Sequence, residues 1–234
     1  MDQDEVYKQF FIKSKKQGRH IMMDNSLHEL GVPYSDDRLF YWLNELQPQE
    51  FFVADYWEDR IASIVSAKKW IQHQKDYPNT TFIAVVQAKS IGDAIVCYQT
   101  YKDLGYRKIA FSYGAEYYNE FGTHSIPSYK KAFGRVAVIK KLAELGIISK
   151  NDRIHLLGTS SPIEFGSYKD CSYIESIDTS NPVMAAIEGI EYIDIGIMEK
   201  PKPNMNSCFD MDIKDIDLEL LEYNISMFRK INNL

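Results

Sequence analysis

Short apolar runs and longer amphipathic ones take turns along this chain. The short runs are residues 19–24 (RHIMMD), 50–55 (EFFVAD), 81–87 (TFIAVVQ), 107–113 (RKIAFSY), 153–158 (RIHLLG) and 173–178 (YIESID), with a weaker seventh at 190–196 (IEYIDIG). Their length and their content of aliphatic and aromatic residues predict strands. Between them, Ile61, Ile64, Val65, Lys68 and Ile71 recur at helical spacing and predict a helix buried on that face. Ser90 and Asp93 read as a capping box opening a helix that Gly105 closes. Val136, Ile139, Leu142 and Ala143 mark another, stopped near Gly146, and Ser161-Pro162-Ile163-Glu164 has the residues of a further helix start.

Strands that are nearly continuous in apolar residues, each followed by a helix, imply a parallel sheet covered by helices. No Gly-rich phosphate loop follows any strand, so the nucleotide signatures of open doubly wound sheets are missing. The expectation is α/β: a TIM-type (β/α) barrel in one domain over residues 1–234, with its first strand missing or modified. The chain begins with a helical-looking DEVYKQFFIKSKKQG where a first barrel strand would stand. The barrel is then seven-stranded or open, or its beginning lies upstream.

Composition narrows the classes. Of 234 residues, 45% are hydrophobic and 26% charged, ordinary for a globular protein. No apolar run approaches the roughly 20 residues of a membrane span, and the N-terminus lacks a signal-peptide core, so a cytoplasmic location is expected. A net charge of -6 excludes a general basic coat but not a local basic groove. Lys13, Lys15, Lys16 and Arg19, and Lys130, Lys131, Arg135, Lys140 and Lys141, read as solvated helix faces. Cys97, Cys171 and Cys208 are far apart, and neither His28 nor His155 has a neighbour at metal-ligand spacing; no disulfide framework, metal or cofactor is expected.

The strand ends carry the candidate chemistry, because in a barrel they line the mouth. In order they are Asp24-Asn25-Ser26, Asp55, Gln87, Ser112-Tyr113-Gly114, Gly158-Thr159-Ser160 and Asp178-Thr179-Ser180. An Asp after a strand is often only a turn or cap residue. Here the next helix is predicted near Ser35, too far along for Asp24 to cap, and Ser180 or Asn181 can cap the helix after Asp178. Both carboxylates are thereby free of structural duty. Tyr113, Tyr117 and Tyr118 after the fourth run read either as half-buried loop residues or as a stacking surface for a purine. His155, inside its strand, reads as a core histidine.

The series MMDNS, VAD, AVVQ, FSYG, HLLG and SIDTSNP resembles the tRNA-guanine transglycosylase (queuine tRNA-ribosyltransferase) superfamily, and is most similar to its short, phage-type 7-deazaguanine members. The likeness covers roughly residues 19–190. It implies that Asp178 is the nucleophile and Asp24 an acid–base group, with Asn25 in place of the family's Ser. It further implies that Asp55 and Gln87 read the base edge, and that Ser112, Tyr113 and Gly114 stand where the family has Gly-Gly, beside Gly158 and Thr159 in the substrate site. The family's zinc-binding Cys/His subdomain has no counterpart after Asp178.

The implied activity is a pentosyltransferase reaction that replaces guanine in DNA or RNA with a 7-deazaguanine base through a covalent Asp–glycosyl intermediate. Its partners would be a nucleic acid and a guanine or 7-deazaguanine base, without a membrane; a homodimer is left open. Two alternatives use the same residues: a nucleoside or base hydrolase with water as acceptor, and a silent purine-binding barrel.

Overall fold

Each of the six stronger apolar runs contains a strand shorter than the run itself: β1 Met22–Met23, β2 Glu50–Phe52, β3 Thr81–Val86, β4 Lys108–Ser112, β5 Ile154–Leu157 and β6 Ile174–Ile177. They follow the order β1-β2-β3-β4-β5-β6, and the pairs β1–β2, β2–β3, β3–β4 and β5–β6 are parallel. Each strand beside its predecessor is the order of part of a (β/α) barrel. The α/β class and the parallel sheet are as expected, but the strand order is not closed into a barrel, so of the TIM-type expectation only the open alternative is met. The order has two ends, the six strands among the described residues are fewer than the eight of that fold, and β1 is only two residues long. The seventh run is not a strand either. Residues 194–195 turn the chain back on itself, and only an isolated antiparallel bridge joins Ile193 to Gly196.

The computed structural model describes residues 4–159, 161–197, 201 and 211–232. The chain divides into two units, Met1–Phe111 and Ser112–Leu234. No helix among the described residues is long and apolar enough to cross a membrane.

The first unit carries α1 Glu5–Lys16, α2 Leu27–Leu30, α3 Asp36–Leu46, α4 Arg60–Trp70 and α5 Ile91–Asp103. Its core is aromatic: Phe51 meets Trp70 and Phe82 edge-on, with ring centroids 5.1 and 5.3 Å apart. Ser90 Oγ accepts from the Asp93 N–H at 3.1 Å and caps α5 as expected. In α4 the expected apolar face is not the buried one. Ile61 and Val65 stay exposed, whereas Ser63, Ala67 and Trp70 are buried. Small residues let the helix come close, and Ser63 Oγ bonds both the N–H and the carbonyl of Tyr56. At the strand starts Lys108 Nζ donates to both oxygens of Glu50, at 2.8 and 2.9 Å, with both side chains buried.

The second unit carries α6 Pro127–Glu144, α7 Ile163–Gly166, α8 Asn181–Ile187 and α9 Leu218–Asn232. Pro127 opens α6 at a position where its missing N–H costs nothing. The helix packs on a 3-10 turn, Glu116–Glu120, so closely that a Cβ at Gly134 would stand 1.9 Å from the Tyr118 carbonyl oxygen. Only glycine fits there. That approach carries the next residue, Arg135, wholly out of solvent, so Arg135 is not part of a solvated basic face. Helix α8 also differs from expectation. Ser180 makes no side-chain cap and Thr179 Oγ1 accepts from the Asn181 N–H instead, while buried Asn181 accepts from the Tyr192 hydroxyl.

Gly134→Ala gains helix propensity of about 1 kcal/mol but drives a methyl into backbone. The expected net result is a loss of about 1–3 kcal/mol, seen as a lower urea midpoint with an unchanged slope. An unchanged or higher midpoint would contradict the close packing of α6.

Candidate functional site

In the first unit the residues after β1, β2 and β3 converge on one carboxylate. Asp55 accepts from Asn25 Nδ2 on one oxygen and from Gln87 Nε2 on the other, both at 2.6 Å. Asn25 Nδ2 also donates to the Val53 carbonyl at 2.8 Å. Each amide oxygen is held from behind by a backbone N–H: Leu27 N to Asn25 Oδ1 and Glu58 N to Gln87 Oε1, both at 3.0 Å. The three residues are 2–4% exposed. Asn25, Asp55 and Gln87 thus form one buried network, and Gln87 keeps an amide hydrogen beyond its bond to Asp55.

Asp24 stands differently. It is exposed, and its Oδ2 accepts from the Ser26 N–H at 3.3 Å. Helix α2 begins at Leu27, and Ser26 before it adopts φ 62°. A helical turn therefore starts directly after Asp24, not near Ser35, and Asp24 has a local backbone partner.

Burial dominates the electrostatics of Asp55, and with the negative charge of Asp24 it outweighs the two amide donors, pushing the carboxyl from 3.8 up to about 6. A cavity of about 520 Å³ in this unit is elsewhere. It lies by Thr80, Thr81 and Arg107 at the starts of β3 and β4, whereas Gln87 follows the other end of β3.

In the second unit Asp178 follows β6, and its carboxylate is 54% exposed. One oxygen, Oδ1, accepts from His155 Nε2 at 3.0 Å and from the Gly158 N–H at 3.1 Å. The other has no hydrogen bond among the described residues. Burial of the group opposes ionisation, yet the His155 hydrogen bond and charge, the Gly158 N–H and the charge of Arg135 hold it below the ordinary carboxylate value. Gly158 presents its N–H from φ 60°, in the left-handed region where glycine is unstrained.

Behind Gly158 lies a buried ion pair. Arg135 Nε and Nη2 donate to Glu164 at 2.6 and 3.1 Å, and Nη1 and Nη2 donate to the carbonyls of Leu157 and Gly158 at 2.8 and 2.7 Å. Thr159 Oγ1 donates to Glu164 at 2.7 Å. The Tyr113 ring covers the guanidinium at 5.2 Å, its N–H bonds the Leu157 carbonyl, and its hydroxyl bonds the Ser128 carbonyl. Ser112 Oγ accepts from the Gly114 N–H, and the Gly114 carbonyl accepts from Lys131.

Gly158, Thr159 and Tyr113 are therefore brought to one place by Arg135 and Glu164, neither of which sequence reasoning assigned to a site. Glu164 turns inward to Arg135 and not back to a capping Ser161. Tyr117 and Tyr118 are 2% and 0% exposed and pack on one another, so they offer no stacking surface. His155 was legible only as core. Its link to Asp178 was recoverable from the 2-residue period of a strand, which puts Ser176 and Asp178 on one face, and from the register that pairs His155 with Ser176. Ser160 and Cys208 lie outside the described residues. No group of three or more His, Cys, Asp or Glu among the described residues could hold a metal ion.

Because the native carboxyl of Asp55 keeps its proton up to about pH 6 while the unfolded chain releases it near 3.8, stability falls as pH rises through that window. The loss is roughly 3 kcal/mol when complete. Carboxyl carbon NMR should show Asp55 titrating near pH 6. Gln87→Met, which removes a donor to the anion, should move that midpoint upward. A midpoint near 4, or a downward move in Gln87→Met, would overturn the arrangement.

No protein-family model and no curated protein matches the chain, so a functional reading rests on the chemistry of these two clusters.

Proposed function

We propose that this chain is a base-exchange transglycosylase that replaces guanine in a nucleic acid with a 7-deazaguanine base. The observation that carries the reading is the condition of the two oxygens of Asp178. Oδ1 is held by two N–H donors, the carboxylate is depressed in basicity and ionised at neutral pH, and the side chain is half exposed with no hydrogen bond to the second oxygen among the described residues. A carboxylate presented in this way is suited to attack at an anomeric carbon.

In the proposed reaction the second oxygen bonds to C1′ of the nucleotide, and the bond from C1′ to the base nitrogen breaks with its electron pair going to the base. The departing guanine gains a proton. The incoming base, having lost its own proton, then attacks C1′, and the Asp178–C1′ bond breaks with its pair returning to the carboxylate. Asp24, exposed beside its strand end, is the acid–base group in this reading. Asp55 and Gln87 read the base edge in this proposal, which requires their buried network with Asn25 to open to the purine. Pairing in a duplex hides that edge, so the target base must be unpaired or extruded.

Labelled guanine should exchange into tRNA or single-stranded DNA faster than into duplex DNA. Asp178→Ala should lower exchange by at least about a thousandfold and abolish any denaturant-resistant adduct with the nucleic acid. Asp24→Ala should slow exchange while the adduct still forms. Full exchange by Asp178→Ala would refute the proposal.

A further inference from the structure

We propose that His155 is the positioning residue of Asp178: with the Gly158 N–H it fixes one carboxylate oxygen, leaving the other to bond the sugar and to leave it. The inference rests on reading Asp178 as a nucleophile, and extends that reading to how the ester it forms is broken again.

The geometry begins with a histidine that is wholly buried and spans two strand neighbours. His155 Nε2 lies 3.0 Å from Asp178 Oδ1, and Nδ1 lies 2.8 Å from Ser176 Oγ. A carboxylate only accepts, so Nε2 carries the proton of that bond. In a neutral imidazole Nδ1 is then an acceptor, and the Ser176 hydroxyl donates to it, selecting the tautomer that serves Asp178. Ser176 and His155 are register partners on β6 and β5, so the pairing of two strands sets the ring. Gly158 adds the second donor, and its carbonyl is tied to Arg135 at 2.7 Å. Arg135, behind Gly158, adds its positive charge to the environment of Asp178.

Two donors on Oδ1 have unequal effects on the two steps. When Oδ2 bonds C1′, Oδ1 becomes the carbonyl oxygen of the glycosyl ester. When the C1′–Oδ2 bond breaks, its electron pair spreads over both oxygens, and the donors stabilise the charge that appears on Oδ1. They make Asp178 a weaker base and therefore a better leaving group. Loss of His155 Nε2–H should slow release of the ester more than its formation.

The test compares wild type with His155→Leu, His155→Gln and Ser176→Ala. His155→Gln keeps an N–H donor on a similar reach, and Ser176→Ala leaves the ring in place but unsettles its tautomer. The readouts are the exchange rate, the fraction of protein trapped as adduct during turnover, and the Asp178 carboxyl titration by NMR. His155→Leu should slow exchange about tenfold to a hundredfold, the size of a lost charge-assisted hydrogen bond. It should also raise the trapped fraction and move the Asp178 titration upward. His155→Gln should restore most of each, and Ser176→Ala should move each in the direction of His155→Leu by less. If His155→Leu does not fold, Ser176→Ala and His155→Gln carry the same comparison. Slower exchange with an unchanged trapped fraction and no recovery in His155→Gln would overturn the proposal, as would an Asp178 titration indifferent to all three variants. If wild type exchanges no base at all, the transglycosylase reading fails, and the titration alone still decides whether His155 holds Asp178.

Discussion

The first unit is organised around one constraint: Asp55 has to be an acceptor on both sides. Asn25 and Gln87 cannot turn their amides over, because each amide oxygen is held by a backbone N–H, from Leu27 and from Glu58. Both NH₂ groups therefore face the same point, and a group between them that offered an N–H on either side would leave a buried donor opposed to a donor. A carboxylate meets the demand. It also closes the ends of three parallel strands with side chains, beyond the reach of the sheet's own ladder, and it sets the course of the Tyr56–Asp59 segment through Glu58. The cost is burial of an anion, which appears as the raised carboxyl.

The second unit meets a similar need with a full ion pair. Arg135 and Glu164 are both 0% exposed, and a buried pair of this kind adds little net stability over a well-packed apolar substitute. Its contribution is positional. The guanidinium has donors left after binding Glu164, and they fall on the carbonyls of Leu157 and Gly158. That fixes the peptide whose N–H reaches Asp178. The path runs from a glycine, Gly134, that lets a helix approach, to an arginine that the approach buries, to a loop that the arginine shapes. Removing either charge would leave the other buried and unpaired, at a cost of about 3–5 kcal/mol.

Strand positions and strand ends were legible in the sequence because apolar runs and their polar endings are local. The cluster of Asn25, Asp55 and Gln87 followed from placing those ends side by side. What was not legible came from long-range packing. Ile61 and Val65 have helical spacing, but spacing alone does not say which face meets the sheet. Ser63 and Ala67 won that face because small residues permit contact and Ser63 satisfies Tyr56. Arg135 sat in a run of basic residues, and nothing local distinguished it from Lys131 or Lys140. Tyr117 and Tyr118 looked like loop aromatics because the loop's packing under α6 depends on Gly122 and Gly134, whose Cβ positions would fall 1.9 Å from backbone oxygens. The seventh run failed as a strand since Asp194 and Ile195 form a turn within it.

The two carboxylates at the centre of the functional reading are the same residue type driven in opposite directions. Asp55 is surrounded by protein, and burial outweighs its donors; Asp178 is half open to solvent, and its donors outweigh burial. The same residue type is thus set to two different protonation behaviours by its surroundings alone. A group held ionised keeps its lone pairs available for attack, and because it is weakly basic it also departs readily. Asp24 contributes its negative charge to the raised value of Asp55, so an exposed side chain acts on a buried one across the strand ends of the first unit.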